Sequence, residues 1–282
     1  MAKWCKSSCT ATTTLPGRTS TSPRDVPRWR NPCCERCWPR RGRRRQCSPM
    51  RYKSLLCSIL LACGLALAAD PIRVQITTGG HPYDIAFYSL FEGRPDLAVT
   101  LNPHPSAFRR DLRKFADVLV LYDLADVGDE KQRANLQAFL KAGRGLVVLH
   151  HALASNWQWK WWYQEVTGGR FLMGQDGDMP RSAAKNNEVL NARPVTKHPI
   201  LEGVGELKVN DEAYKGMWLS PRAQVLMVTD NPNNDKAVVW TGPWQKSRVV
   251  AIQLGHGPPT YRDPGYRRLV HNAILWAAGR LN

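Results

Sequence analysis

No cysteine occurs after residue 63 of this 282-residue chain; all eight fall between Cys5 and Cys63. Residues 70–282 therefore contain no disulfide, no thiolate nucleophile and no cysteine ligand for zinc. Other signatures are missing too: there is no GxSxG elbow, no P-loop, and no GxGxxG following a strand. No apolar run reaches the roughly 20 residues that span a bilayer. The formal net charge of +17 is unevenly placed: residues 1–69 hold +12 of it and residues 70–282 hold +5. The basic excess is not clustered in the longer part, so nothing there indicates a nucleic-acid partner.

The first 69 residues read as two pieces. Residues 1–49 are rich in Arg, Cys, Pro, Ser and Thr and show no apolar periodicity. Cys34 and Cys37 have zinc-like spacing, but no second pair and no histidine accompany them. Residues 50–69 have a basic start, an apolar stretch of about a dozen residues, and Ala66-Leu67-Ala68, the small-x-small pattern of a cleavage site. This predicts a signal peptide over 50–69, translation from Met50, residues 1–49 as a non-native or disordered extension, and one mature domain over 70–282. The expected location is periplasmic or extracellular. Lipidation at Cys63 is the alternative route of export.

Along 70–282, short apolar runs alternate with helical patterns. Strands are predicted over 72–77, 97–101, 118–122 and 145–149, with helices over 84–92 and 129–142 between them. The run VLVLY at 118–122 is apolar throughout, as expected of a strand covered on both faces. An aromatic helix is predicted over 157–166 and a polar loop over 172–187. Further strands are predicted over 188–191, 207–209, 225–229, 237–241 and 248–254, and a closing helix over 267–278. The βαβ alternation gives an α/β fold with a mostly parallel sheet and helices on both faces.

Ligands of open α/β sheets bind beyond the carboxyl ends of the strands. His81 follows the first strand, His150 and His151 the fourth, Asp211 and Glu212 the run 207–209, and His256 the last long strand. Several histidines and a carboxylate at one sheet edge suit a divalent metal such as zinc, and equally a general acid/base pair. The metal set drawn from them is His81, His151, Glu212 and His256, with His151, Glu212 and His256 as the catalytic candidates. His150, Asp211, Trp157 and Trp159 are the candidates for contact with substrate, the tryptophans as a stacking platform for a sugar. His104, between two prolines, reads as part of a rigid turn. His198 and His271 read as structural.

The segments VLHHALASNWQWKWWYQEVTGGRF at 148–171, KHPILEGV at 197–204, NDEAY at 210–214, AVVWTGPWQKSRVVAIQLGHGP at 237–258 and the terminal HNAILWAAGR together resemble the ThuA-like family, named for trehalose utilisation. The resemblance covers about 72–279. It implies a flavodoxin-like three-layer sandwich similar to class I glutamine amidotransferases, and a role near oxidised or keto-disaccharides. It also places the turn Leu149-His150-His151-Ala152 where an amidotransferase carries its cysteine, and His256 where the triad histidine stands. Without cysteine, thioester-based glutamine hydrolysis is excluded. One departure is the absence of a histidine shortly after Gly168-Gly169-Arg170-Phe171. The resulting expectation is an exported sugar-active protein working through histidine and glutamate on a small-molecule sugar. The alternatives are a non-catalytic carbohydrate-binding protein and a structural partner in an envelope complex.

Overall fold

The computed structural model describes residues 69–282. The expected extension over 1–49, the signal peptide up to residue 68 and Cys63 lie outside the described residues. The elements in chain order are β1 (Ile72–Gly79), β2 (Leu97–Leu101), β3 (Val118–Asp123), α1 (Glu130–Lys141), β4 (Gly145–Leu149), β5 (Gly169–Arg170), β6 (Ala183–Pro194), β7 (Leu207–Lys215), β8 (Trp218–Leu219), β9 (Gln224–Thr229), β10 (Ala237–Thr241), β11 (Val249–Ile252), α2 (Pro258–Tyr261) and α3 (Pro264–Ala277).

Nine strands form one sheet in the order β2-β1-β3-β4-β11-β10-β9-β6-β7, and β5 pairs with β8 in a separate ribbon. From β2 to β11 every pairing is parallel. From β11 to β7 every pairing is antiparallel. The central parallel strands β3, β4 and β11 are apolar on both faces because both are covered. In β3, Val118, Val120 and Tyr122 join the core packed by α3, while Leu119 and Leu121 join the core packed by α1. Strands β4 and β11 split in the same way: Val147, Leu149, Val250 and Ile252 face one core, and Leu146, Val148, Val249 and Ala251 the other. Period-two alternation thus sorts each run into two apolar layers, and the molecule is the α/β three-layer sandwich expected.

Helix α1 begins where Asp129 accepts from the Gln132 amide, and α3 begins at Asp263, which accepts from Tyr266, with Pro264 at its first position. Both faces of apolar residues then fall on the sheet side.

The structure departs from expectation in four places. The segment over 84–92 is a tighter 3-10 turn, Ile85–Leu90, with Asp84 as its cap. The aromatic segment does not form one regular helix over 157–166. It passes through turns and then widens into a π-helix, Trp161–Thr167, that buries Trp162, Tyr163 and Val166. The polar stretch 172–187 is not all loop, because β6 starts at Ala183 and runs 12 residues. Strand β7 does not stop at Val209; it continues to Lys215, so Asp211 and Glu212 lie inside it. Pairing with β6 over most of its length keeps β7 extended through these polar residues.

Only Ala192–Pro194 of β6 pairs with β9. The rest of β6, with β7, continues beyond the sheet's antiparallel edge, and this hairpin reaches back to the end of β4. Among the described residues, no helix is long and apolar enough to cross a membrane.

Candidate functional site

The chain leaves β4 at Leu149 in extended conformation and turns at once: His150 has a left-handed φ of +49°, uncommon for a residue other than glycine. The turn drives two consecutive histidines to different surroundings. His150 is fully buried, and its ring stacks on Tyr214 at 4.9 Å. Its Nδ1 lies 2.7 Å from the Gln253 carbonyl, which only accepts, so Nδ1 carries the proton. The Nε2 lone pair is left facing outward. Around it stand the Tyr214 hydroxyl at 3.1 Å, Glu212 Oε2 at 3.2 Å and His256 Nδ1 at 3.3 Å. His256 Nδ1 and Glu212 Oε2 are 3.4 Å apart.

His150, Glu212 and His256 therefore present three donor atoms in a nearly regular triangle, and they can hold a metal ion. Three donors at tetrahedral zinc distances stand roughly 3.3–3.6 Å from one another. Burial by itself would push the Glu212 carboxyl up. The His256 hydrogen bond and the neighbouring imidazoles outweigh it and hold the group well below the usual carboxylate range. The Glu212 hydrogen bond in turn raises His256, against the effect of burial. The His256 side chain is 40% exposed and His150 1%, so the triangle opens to solvent on the His256 side.

Asp211 does not face this opening. Its carboxylate accepts from the amides of Gly255, His256 and Glu212 and from the Thr260 hydroxyl, all within 2.8 Å. With every acceptor direction in use, it ties β7 to the loop bearing His256. Tyrosines brace the same loop: Tyr122 donates to the Gly255 carbonyl, Tyr261 to that of His256, and Tyr266 to that of Leu254. Gly255, at φ +125°, has no room for a side chain, because a Cβ would stand 2.3 Å from the Tyr266 hydroxyl.

His151 lies next to this group without being one of the three donors. Its ring packs 4.2 Å from Tyr122, 4.7 Å from His81 and 5.6 Å from His150. Burial, with His150 and His81 beside it, lowers it to about 2, so it is neutral at any ordinary pH. His81 is half-buried, its Nδ1 2.6 Å from the Pro82 carbonyl. The structure thus gathers all four expected histidines but puts His150, rather than His81 or His151, at the triangle. Trp159 goes elsewhere: it packs on Trp161 and Trp162 and lies under the Arg133 guanidinium on the α1 side. The Trp157 ring borders Gly174.

Sequence reasoning missed Tyr214 and the bracing tyrosines. Tyr214 had one legible signal, since it stands two residues beyond Glu212 and shares its face if the strand continues. His104 is more than part of a turn: it makes a 2.5 Å contact to the buried Asp123 at the end of β3. His271 pairs with Asp96, and His198 caps the turn at Pro199. A concavity of about 1200 Å³ lies where β1, β4 and β11 begin. Its cations are largely engaged: Arg73 and Arg144 share Asp117, and Arg248 donates to the carbonyls of Trp276 and Leu281.

A three-layer α/β sandwich with a histidine–glutamate cluster beyond β4 and β11 defines the class. The family model for trehalose utilisation, ThuA, matches residues 84–277, and the chain belongs to this family. Among solved structures it is similar to a ThuA-like protein from Parabacteroides merdae, with a TM-score of 0.67 at 17% identity over 76% of this chain and 92% of that one. A ThuA-like protein from Bacteroides uniformis gives 0.56 at 17% identity over 74% and 93%. A β-galactosidase from Rahnella sp. R3 gives 0.51 at 12% identity, over 73% of this chain and 31% of that one. At such identities the likeness is one of fold. No curated protein sequence matches the chain.

Proposed function

We propose that this chain is an exported sugar-active protein in which His150, Glu212 and His256 hold a divalent cation, zinc by donor type, with His151 beside it. The observation that carries the reading is the triangle of donor atoms with edges of 3.2, 3.3 and 3.4 Å. Two histidines and one glutamate are a known zinc set that leaves a position open for water or substrate. Membership of a family described by trehalose utilisation supports a trehalose-like disaccharide as the substrate class.

A cation at this place would polarise a carbonyl or hydroxyl oxygen of the sugar. The chain's own groups do the rest. The Gln253 carbonyl fixes the His150 tautomer, as hydrogen-bond acceptors behind metal-binding histidines do. Glu212 stays ionised, and His256 forms the open side through which the ligand enters. His151 contacts the substrate. Export rests on the signal-peptide pattern at 50–69.

The test is the metal content of the purified chain by mass spectrometry, wild type beside His256→Ala. Near-stoichiometric metal in the wild type and its loss from the variant is the expected result. No metal in either overturns the cation and leaves histidine–glutamate acid/base chemistry, or carbohydrate binding without turnover. Mass spectrometry of the secreted chain fixes its N-terminus.

A further inference from the structure

The Nε2 of His151 is buried and has no hydrogen-bond partner. Nothing around the ring fixes which of its nitrogens carries the proton, so Nε2 calls for a partner that can donate or accept, as a hydroxyl can. Buried polar atoms are almost always paired, and each exception calls for a reason. Packing supplies none here. A phenylalanine would make the same ring contacts with Tyr122 and His81 and would bury no orphaned nitrogen. Gln253, whose carbonyl holds His150, carries a second buried orphan, Oε1. Gln253 Oε1 is an acceptor, and a ligand hydroxyl can satisfy either atom.

We infer that His151 Nε2 receives a ligand hydroxyl on the carbon next to the oxygen that meets His150, Glu212 and His256, so that the site selects polyols with neighbouring oxygens. This rests on the triangle being the ligand-facing group, as proposed above. The half-buried His81 ring stands 4.7 Å from that of His151.

The experiment titrates the zinc-loaded full chain with trehalose by calorimetry, for wild type, His151→Phe and His151→Gln. The expected result is that His151→Phe keeps its zinc and melts no lower than wild type, yet binds trehalose about tenfold more weakly. His151→Gln, which restores an acceptor, recovers part of the loss. In competition with trehalose, 1,2-cyclohexanediol displaces it and cyclohexanol does not. Equal trehalose binding by His151→Phe and wild type overturns the inference. So does a lower melting temperature for His151→Phe with no recovery in His151→Gln, which would mark His151 as a packing residue. A wild type that holds no zinc overturns the triangle reading instead, so the two failures are separable.

Discussion

The two halves of the sheet contribute to the molecule in different ways. The parallel half, β2-β1-β3-β4-β11, is centred on apolar runs covered on both faces, β3, β4 and β11, and its carboxyl ends carry His81, His150, His151 and His256. The antiparallel half is more polar, and most of β6 is exposed. It brings a single carboxylate, Glu212, to those histidines, together with the Tyr214 hydroxyl and the tether Asp211. One half makes the fold and presents acceptors; the other completes the site from outside. Damage to the first should therefore appear in stability, and damage to the second in binding.

The largest stability effect expected is in the parallel half. His104→Ala leaves the Asp123 carboxylate buried without its partner, which costs about 3–5 kcal/mol. Urea unfolding measures it, and metal content should not change. Replacing both residues with leucine should recover much of the loss. Asp211→Ala comes next. It strips the acceptor from three amides and a hydroxyl, about 2–3 kcal/mol by urea unfolding. Here metal affinity should fall as well, because the His256 loop loses its anchor. A loss of stability with intact affinity would show that the tyrosines alone hold the loop.

An effect on stability is expected with pH as well. The folded state lowers His151 below its ordinary 6.5, to about 2. The unfolded chain thus binds the extra proton first, and this contribution to stability is full above 6.5 and declines as pH falls towards 2. Melting temperatures measured from pH 7 downward should show the slope in wild type and a shallower one in His151→Phe. The smallest stability effect is expected at Glu212→Gln, under about 1 kcal/mol, but with metal binding lost. A strong loss of stability there would erase the contrast between the halves.

The parallel half was legible because its physics is local. Runs such as 118–122 and 145–149 have one reading, and Asp129 before an amphipathic stretch marks a helix start. The antiparallel half was less so. Polar residues inside β7 look like the end of a strand, since what keeps them extended is pairing with β6, 23 to 32 positions away in the register. The set of histidines was visible as well, but their division was not. Adjacent histidines are equivalent in a pattern, and only the left-handed turn at His150 decides which of them meets Glu212. The tyrosine brace was hidden for the same reason, because Tyr122 and Tyr261 stand 139 residues apart.

His150 and His256 are 106 residues apart in sequence, with Glu212 between them. A cation held by all three would close two long loops at once. Its binding free energy would then count towards folding, since the unfolded chain has no such site to offer. In a domain without cysteine, that amounts to a removable cross-link. The same ion would serve chemistry and covalent-style bracing, and a chelator would act on this chain much as a reductant acts on a disulfide-stapled one.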